Sequence, residues 1–254
     1  MLKHIKLIVP IIMTVLLASC GGGSGGGTAA PTPSTRMMTT NVLHTYATGD
    51  TIVYAVSITS TDNTGFTVNA AGVYTDIFSI NSIADPYSGM MRSKVTRSGA
   101  LNVGTAMSQS INNTLYFSQD AAGIHAYGDA VSGWLVTPYL ARIGTLNIGV
   151  IWNSSVTYPN GDTLTATDTI VGKAVVTTLL GSFETYKVVE NFTIYNAATA
   201  TSLATTDVGN ATYYVVPSIG ASIKSLVTYT STDSTGATTT VTRTTSINTT
   251  NIVF

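Results

Sequence analysis

From Asn41 onward the chain changes polarity at almost every second residue, in short runs rich in Val, Ile, Thr and Tyr. In Thr185–Tyr195, Tyr186, Val188, Glu190, Phe192 and Ile194 fall on one face, while Thr185, Lys187, Asn191 and Thr193 fall on the other. A period of two sends alternate side chains to opposite sides of a strand, so one side can pack while the other meets water. Ile148, Val150, Trp152 and Val156 outline a similar face, as do Ile223, Val227 and Tyr229. No window of a dozen residues keeps a helical stripe. The pattern predicts one antiparallel, all-β domain over residues 41–254.

The punctuation between runs agrees. Pro159-Asn160-Gly161-Asp162 separates two of them, and Asn and Gly tolerate the positive φ of tight hairpins. The segments STDNTG (Ser60 to Gly65) and STDSTG (Ser231 to Gly236) each follow an alternating run. Their Asp side chains can accept from backbone donors ahead of them, and the closing Gly can turn left-handed. A calcium loop would need further carboxylates and a distal Glu, which both segments lack, so they read as plain hairpins.

The body contains no cysteine, so its stability has to come from a core, and a domain of this length can bury one. The single Cys20 lies further upstream, in Leu16–Gly27, LLASCGGGSGGG. Before it come a short start carrying Lys3 and Lys6 and an apolar run, Leu7 to Leu17, broken only by Pro10 and Thr14. These have the form of a secretory leader and are too short to span a bilayer, which takes about 20 residues. Leu17-Ala18-Ser19-Cys20 resembles the lipobox of bacterial lipoproteins. The resemblance implies a signal peptide over 1–19, cleavage between Ser19 and Cys20, and acylation of the Cys20 thiol. Two or more acyl chains anchor a protein stably. Gly21 stands where an inner-membrane retention signal usually places Asp, so in a Gram-negative host the resemblance implies the outer membrane. Residues 20–40 then form the lipidated Cys and a Gly/Ser/Thr/Pro-rich tether. The 15 residues from Gly21 to Thr35, as a flexible chain, would span roughly 20 Å.

Without Lys3 and Lys6, nine basic residues face 12 acidic ones, and no basic stripe exists to favour nucleic acid. Only 9% of the chain is charged; Thr, Ser and Asn supply the polarity.

The most specific stretches of the body are YFSQDAAGIHAYGD (Tyr116 to Asp129), LNIGVIWNSSVTY (Leu146 to Tyr158), GSFETYKVVENFTIY (Gly181 to Tyr195) and YYVVPSIGASIKS (Tyr213 to Ser225). In this order they resemble a group of uncharacterised bacterial lipoproteins. The resemblance covers under half of the chain. It implies a curved antiparallel sheet, half-barrel or open barrel and brings no established activity. In the residues themselves, Gly181 suits a strand start where no side chain fits, Pro217 ends a ladder, and Gly220 lets the chain turn.

Catalytic chemistry is hard to find. His44 and His125 are far apart in sequence, and no metalloprotease helix, nucleophile elbow or phosphate loop occurs. Asp120 and His125 could touch a metal across one turn, but solvated turn chemistry is the favoured reading. Asp162 and Asp168 read as turn-like or outward positions. Glu190 interrupts an apolar face; it either faces a binding cavity or, as favoured, marks a strand bend or pairs with a Lys or Arg. The expectation is a non-enzymatic module without cofactor or metal.

Aromatic residues give the better argument. Tyr occurs 13 times and Phe six, and Trp134 and Trp152 flank Pro138–Gly149. They suit sheet packing or, in a sharper reading, a concave face for an apolar or carbohydrate ligand, with Trp134, Trp152, Tyr186, Glu190 and Phe192 facing it. The Thr-rich segment Thr238–Thr245 leaves surface adhesion as a further alternative. The functional expectation is an envelope lipoprotein that binds or supports, with a lipid-like cargo as the narrower version.

Overall fold

The computed structural model describes residues 34–104, 107–200 and 202–253; Ser19, Cys20 and the expected leader lie outside them. Among the described residues, twelve strands follow one another in chain order. They are β1 (Thr51–Asp62), β2 (Thr67–Ala84), β3 (Met91–Val103), β4 (Met107–Gln119), β5 (Gly123–Asp129) and β6 (Gly133–Ile143), then β7 (Ile151–Thr157), β8 (Thr163–Thr178), β9 (Gly181–Asn196), β10 (Thr205–Val216), β11 (Ala221–Asp233) and β12 (Thr238–Thr250). One short 3-10 turn, Pro217–Ile219, links β10 to β11.

All strands belong to one antiparallel sheet, ordered β6-β5-β4-β3-β2-β1-β12-β11-β10-β9-β8-β7. Chain neighbours pair except β6 with β7, and β1 pairs with β12, so the first and last strands meet mid-sheet. The two edges, β6 and β7, come together and leave a nearly closed barrel. Side chains bridge this seam: Ser154 Oγ donates to the Leu140 carbonyl at 3.1 Å, and the Tyr139 and Tyr158 hydroxyls lie 3.5 Å apart. The all-β expectation holds, and the sheet wraps further than a half-barrel.

Strand alternation decides which residues fill the barrel. On β8, Leu164, Ala166, Asp168 and Ile170 are buried, while Thr163, Thr165, Thr167 and Thr169 point outward. On β9, Tyr186, Val188, Glu190, Phe192 and Ile194 are all buried, as the sequence pattern predicts. Ile223 and Val227 also face inward. Ile148 does not: it is exposed in the β6–β7 loop, because the strand starts only at Ile151. The inner side chains form two apolar clusters, one centred on β1–β4 and the other on β5–β10.

The barrel's two ends differ. One end is stoppered by the segment that precedes β1. Leu43 N donates to the Gly144 carbonyl at 2.9 Å and His44 N to that of Pro217 at 2.7 Å. The Gln119 side chain spans the same segment, donating to the His44 carbonyl at 2.7 Å and accepting from Tyr46 N at 3.2 Å. The Tyr46 ring stacks on Phe78 with centroids 3.8 Å apart. Gly220 sits beside it at φ 74°, a backbone conformation that favours glycine, and a Cβ there would lie 3.0 Å from the Tyr46 hydroxyl, a tight fit. Further upstream, Arg36 N donates to Ser182 O at 2.8 Å and Arg36 O accepts from Glu184 N at 2.9 Å. The end of the expected tether is therefore docked on β9. Gly181 next to it has φ 116° with open space around a Cβ, so it serves backbone conformation and not close approach.

The opposite end carries the two Asp-Gly hairpins. Asp62 Oδ1 accepts from Thr64 N at 2.8 Å and Phe66 N at 3.0 Å, and Asp233 Oδ1 repeats this with Thr235 N at 2.8 Å and Ala237 N at 3.0 Å. The two turns with similar sequences are plain hairpins and neighbours, joined by Asn63 N to Thr238 O at 3.0 Å, because β1 pairs with β12.

Candidate functional site

The hairpin end opens into a cavity of about 260 Å³. Its walls come from the ends of β1 to β4 and β9 to β12. Ile58, Val68, Leu101, Val103, Leu203 and Val241 supply an apolar lining, joined by the ring of Tyr229. Gly209 makes room for that ring: it lies opposite both Phe192 and Tyr229, and a Cβ there would stand 2.4 Å from Tyr229 Cβ. Polar groups interrupt the lining at Asn196, Asp207, Asp233, Gln109 and Arg243.

Asp207 and Asn196 are buried neighbours on β10 and β9. Asn196 Nδ2 donates to Asp207 Oδ2 at 3.1 Å and to Thr205 Oγ1 at 2.9 Å. Burial pushes the Asp207 carboxyl above the ordinary range, against the opposing effect of the Ser231 hydroxyl and the Asn196 amide. Asp233, on the rim, is held below that range by the Thr235 hydroxyl and backbone donors of its turn.

A second polar cluster lies deeper. Asp168 on β8 stands directly opposite Glu190 on β9, and both are 5% exposed. Burial pushes Asp168 up to about 7, with Arg142 pulling the other way. Burial and then the Asp168 charge raise Glu190 well above the usual carboxylate range. Two carboxylates this close in an apolar interior cannot both ionise cheaply, so the pair holds a proton near neutral pH. The Tyr213 hydroxyl donates to Glu190 Oε1 at 3.4 Å. Burial raises Tyr213 in turn, while Arg243 at the cavity acts on it in the opposite sense. A polar line thus runs inward from Arg243 through Tyr213 to the acid pair.

These placements correct several sequence expectations. Asp168 faces inward, because its position on β8 shares the parity of Leu164, Ala166 and Ile170; Asp162 does sit in a turn, where its Oδ1 accepts from Ala197 N at 2.8 Å. Glu190 pairs with an acid, not with a Lys or Arg, and it does so in regular strand pairing and not at a bend. Trp134 is on the outside: its ring stacks on Tyr116 at 4.0 Å and 7°, and Tyr116 lies opposite outward-facing Lys94. Gly128 lies between these two aromatics in the register and leaves space for the stack. Trp152, Tyr186 and Phe192 face inward but are packed in the second apolar cluster and do not line the cavity. Trp152 Nε1 has no partner there. His125 Nε2 lies 3.3 Å from Asp120 Oδ1 in the β4–β5 turn, and His44 Nε2 lies 3.0 Å from Asp50 Oδ2 at the stoppered end.

The residues that sequence reasoning missed are Asp207, Asn196 and Tyr229 at the cavity and Asp168 below it. One signal pointed to two of them. Asp207 shares parity with Ala211, Tyr213 and Val215, as Asp168 does with its apolar neighbours, and a carboxylate on an apolar parity is a buried carboxylate.

No family model matches the chain, and no curated protein matches it. Two solved structures are similar at low level. A candidate exported protein with a YmcC-like fold from Bacteroides fragilis is 11% identical, with a TM-score of 0.34, over 84% of this chain and 99% of its own. A candidate lipoprotein from Parabacteroides distasonis is 12% identical, with a TM-score of 0.36, over the same shares of 84% and 99%. Likeness at this level carries no argument about the role of this chain.

Proposed function

We propose that this chain is an outer-membrane lipoprotein, anchored through acylated Cys20, whose barrel binds a small molecule at its open end without transforming it. The observation that carries the reading is the open cavity of about 260 Å³, apolar on most sides with a few buried polar groups. A volume of about 260 Å³ suits a compact ligand better than a whole diacyl lipid. The lipid-cargo version therefore narrows to a compact ligand. The two His of the body, His44 in the segment before β1 and His125 on β5, do not line the cavity, which supports binding over catalysis. The outward Thr rows of β8 and β12 oppose a membrane-spanning barrel, whose outer band is apolar. They suit a domain held in water by its anchor.

Leu203 is half exposed at the cavity. Protein purified without detergent should carry or accept a small ligand in native mass spectrometry, and Leu203→Trp should abolish that uptake by filling the mouth. Unchanged uptake in the variant would sink the reading. Cys20→Ala should move the protein from the membrane fraction to the soluble one.

A further inference from the structure

Two buried acceptor atoms at the cavity have no partner, Asp207 Oδ1 and Asn196 Oδ1. Asp207 is 8% exposed and Asn196 3%, and both residues line the cavity. Their remaining polar atoms are committed. The Asn196 amide nitrogen bonds Asp207 Oδ2 and Thr205 Oγ1, which fixes the amide so that its oxygen turns elsewhere. These two oxygens are short of donors, although the Ser231 hydroxyl also acts on the Asp207 carboxyl, and a desolvated carboxylate oxygen is satisfied best by a charged donor.

The charge distribution gives this demand a direction. Asp233 joins Asp207 on the cavity wall near the hairpin turns. Arg243 lies four residues along β12 from Thr239, another wall residue, which places it farther in than the rim. A cation entering the cavity is attracted at the rim and repelled farther in. An apolar strip along the wall, with Ile58, Val68 and Leu101, offers hydrocarbon surface.

We infer that the cavity takes a small amine, its ammonium group seated against Asp207 and Asn196 and its hydrocarbon body on the apolar strip. A primary ammonium has donors for both orphan oxygens and a third for the rim, whereas a hydroxyl has one and no charge to match Asp207. The inference rests on the cavity being a binding site, as proposed above.

Titration calorimetry of the full chain with 1-aminohexane and 1-hexanol separates the two claims. The amine should bind at least tenfold more tightly than the alcohol. Asp207→Asn should remove that difference, and Leu203→Trp should remove binding of both. Equal affinities for amine and alcohol, both lost in Leu203→Trp, would overturn the amine assignment and leave the cavity as a binding site. Binding that persists in Leu203→Trp, or no binding of either compound to the wild type, would overturn both. If Asp207→Asn fails to fold, the comparison of amine with alcohol on the wild type still decides.

Discussion

Each half of the barrel buries a charged pair across neighbouring strands. On β2 and β3, Asp76 stands opposite Arg97; on β8 and β9, Asp168 stands opposite Glu190. The positions are equivalent in the pattern and the physics is opposite. Arg97 donates from Nε and Nη2 to the two Asp76 oxygens, both at 2.7 Å, and its guanidinium lies 4.5 Å from the Tyr74 ring centroid. Burial works against the Arg97 charge, but Asp76 outweighs it and holds the guanidinium ionised. For the acid pair the cation that acts on it, Arg142, donates to Gly220 O and Ser222 Oγ instead, and the pair keeps a proton. One half is held by complementary charge; the other depends on protonation.

The comparison breaks most visibly where a charge is orphaned. Arg97→Met leaves Asp76, which is fully buried, without a counter-charge, and should cost about 3–5 kcal/mol in denaturant unfolding. Adding Asp76→Leu should recover most of that loss. A double variant as unstable as the single one would mean that shape, not charge, is what the pair supplies.

The acid pair should show itself through pH. Its carboxyls have raised values in the folded state, so the native protein holds more protons than the unfolded chain between about 4 and 7. Their contribution is complete below the unfolded value near 3.8 and is lost as pH rises through about 7. Thermal stability should therefore fall from pH 5 to pH 8, and Asp168→Asn should flatten that slope. An equal slope in the variant would assign the dependence to other groups. Tyr213→Phe deletes one long hydrogen bond to Glu190 and should cost about 1 kcal/mol. Smallest of all, Lys173→Ala removes a half-exposed partner of Glu184 at 3.3 Å and should change stability by less than about 1 kcal/mol.

Much of the barrel was legible because strand parity is local. The buried face of β9 was read correctly from Tyr186 to Ile194, and the Asp-Gly turns at Asp62 and Asp233 follow from side-chain geometry within five residues. Reading by residue type misled where it replaced parity: Asp168 was placed outward because it is charged, although its neighbours on the same parity are apolar. Trp134 was drawn toward a ligand face because it is aromatic, while it lies outside, in a pairing of β5 with β6 whose register shifts twice. Ile148 belongs to an apparent strand face that the β6–β7 loop cuts short.

The sequence by itself determined that the chain is a succession of antiparallel strands, where most hairpins turn, and which side chains face the interior. Period and turn chemistry act over a few residues, and each strand carries its own copy of the signal. The tertiary structure decided that β1 closes on β12, that the segment before β1 stoppers one end, and that the other end stays open. It also decided that Asp168 meets Glu190 and that Ile58 shares a cavity with Arg243. Such meetings depend on register summed around the whole barrel, which no single strand encodes.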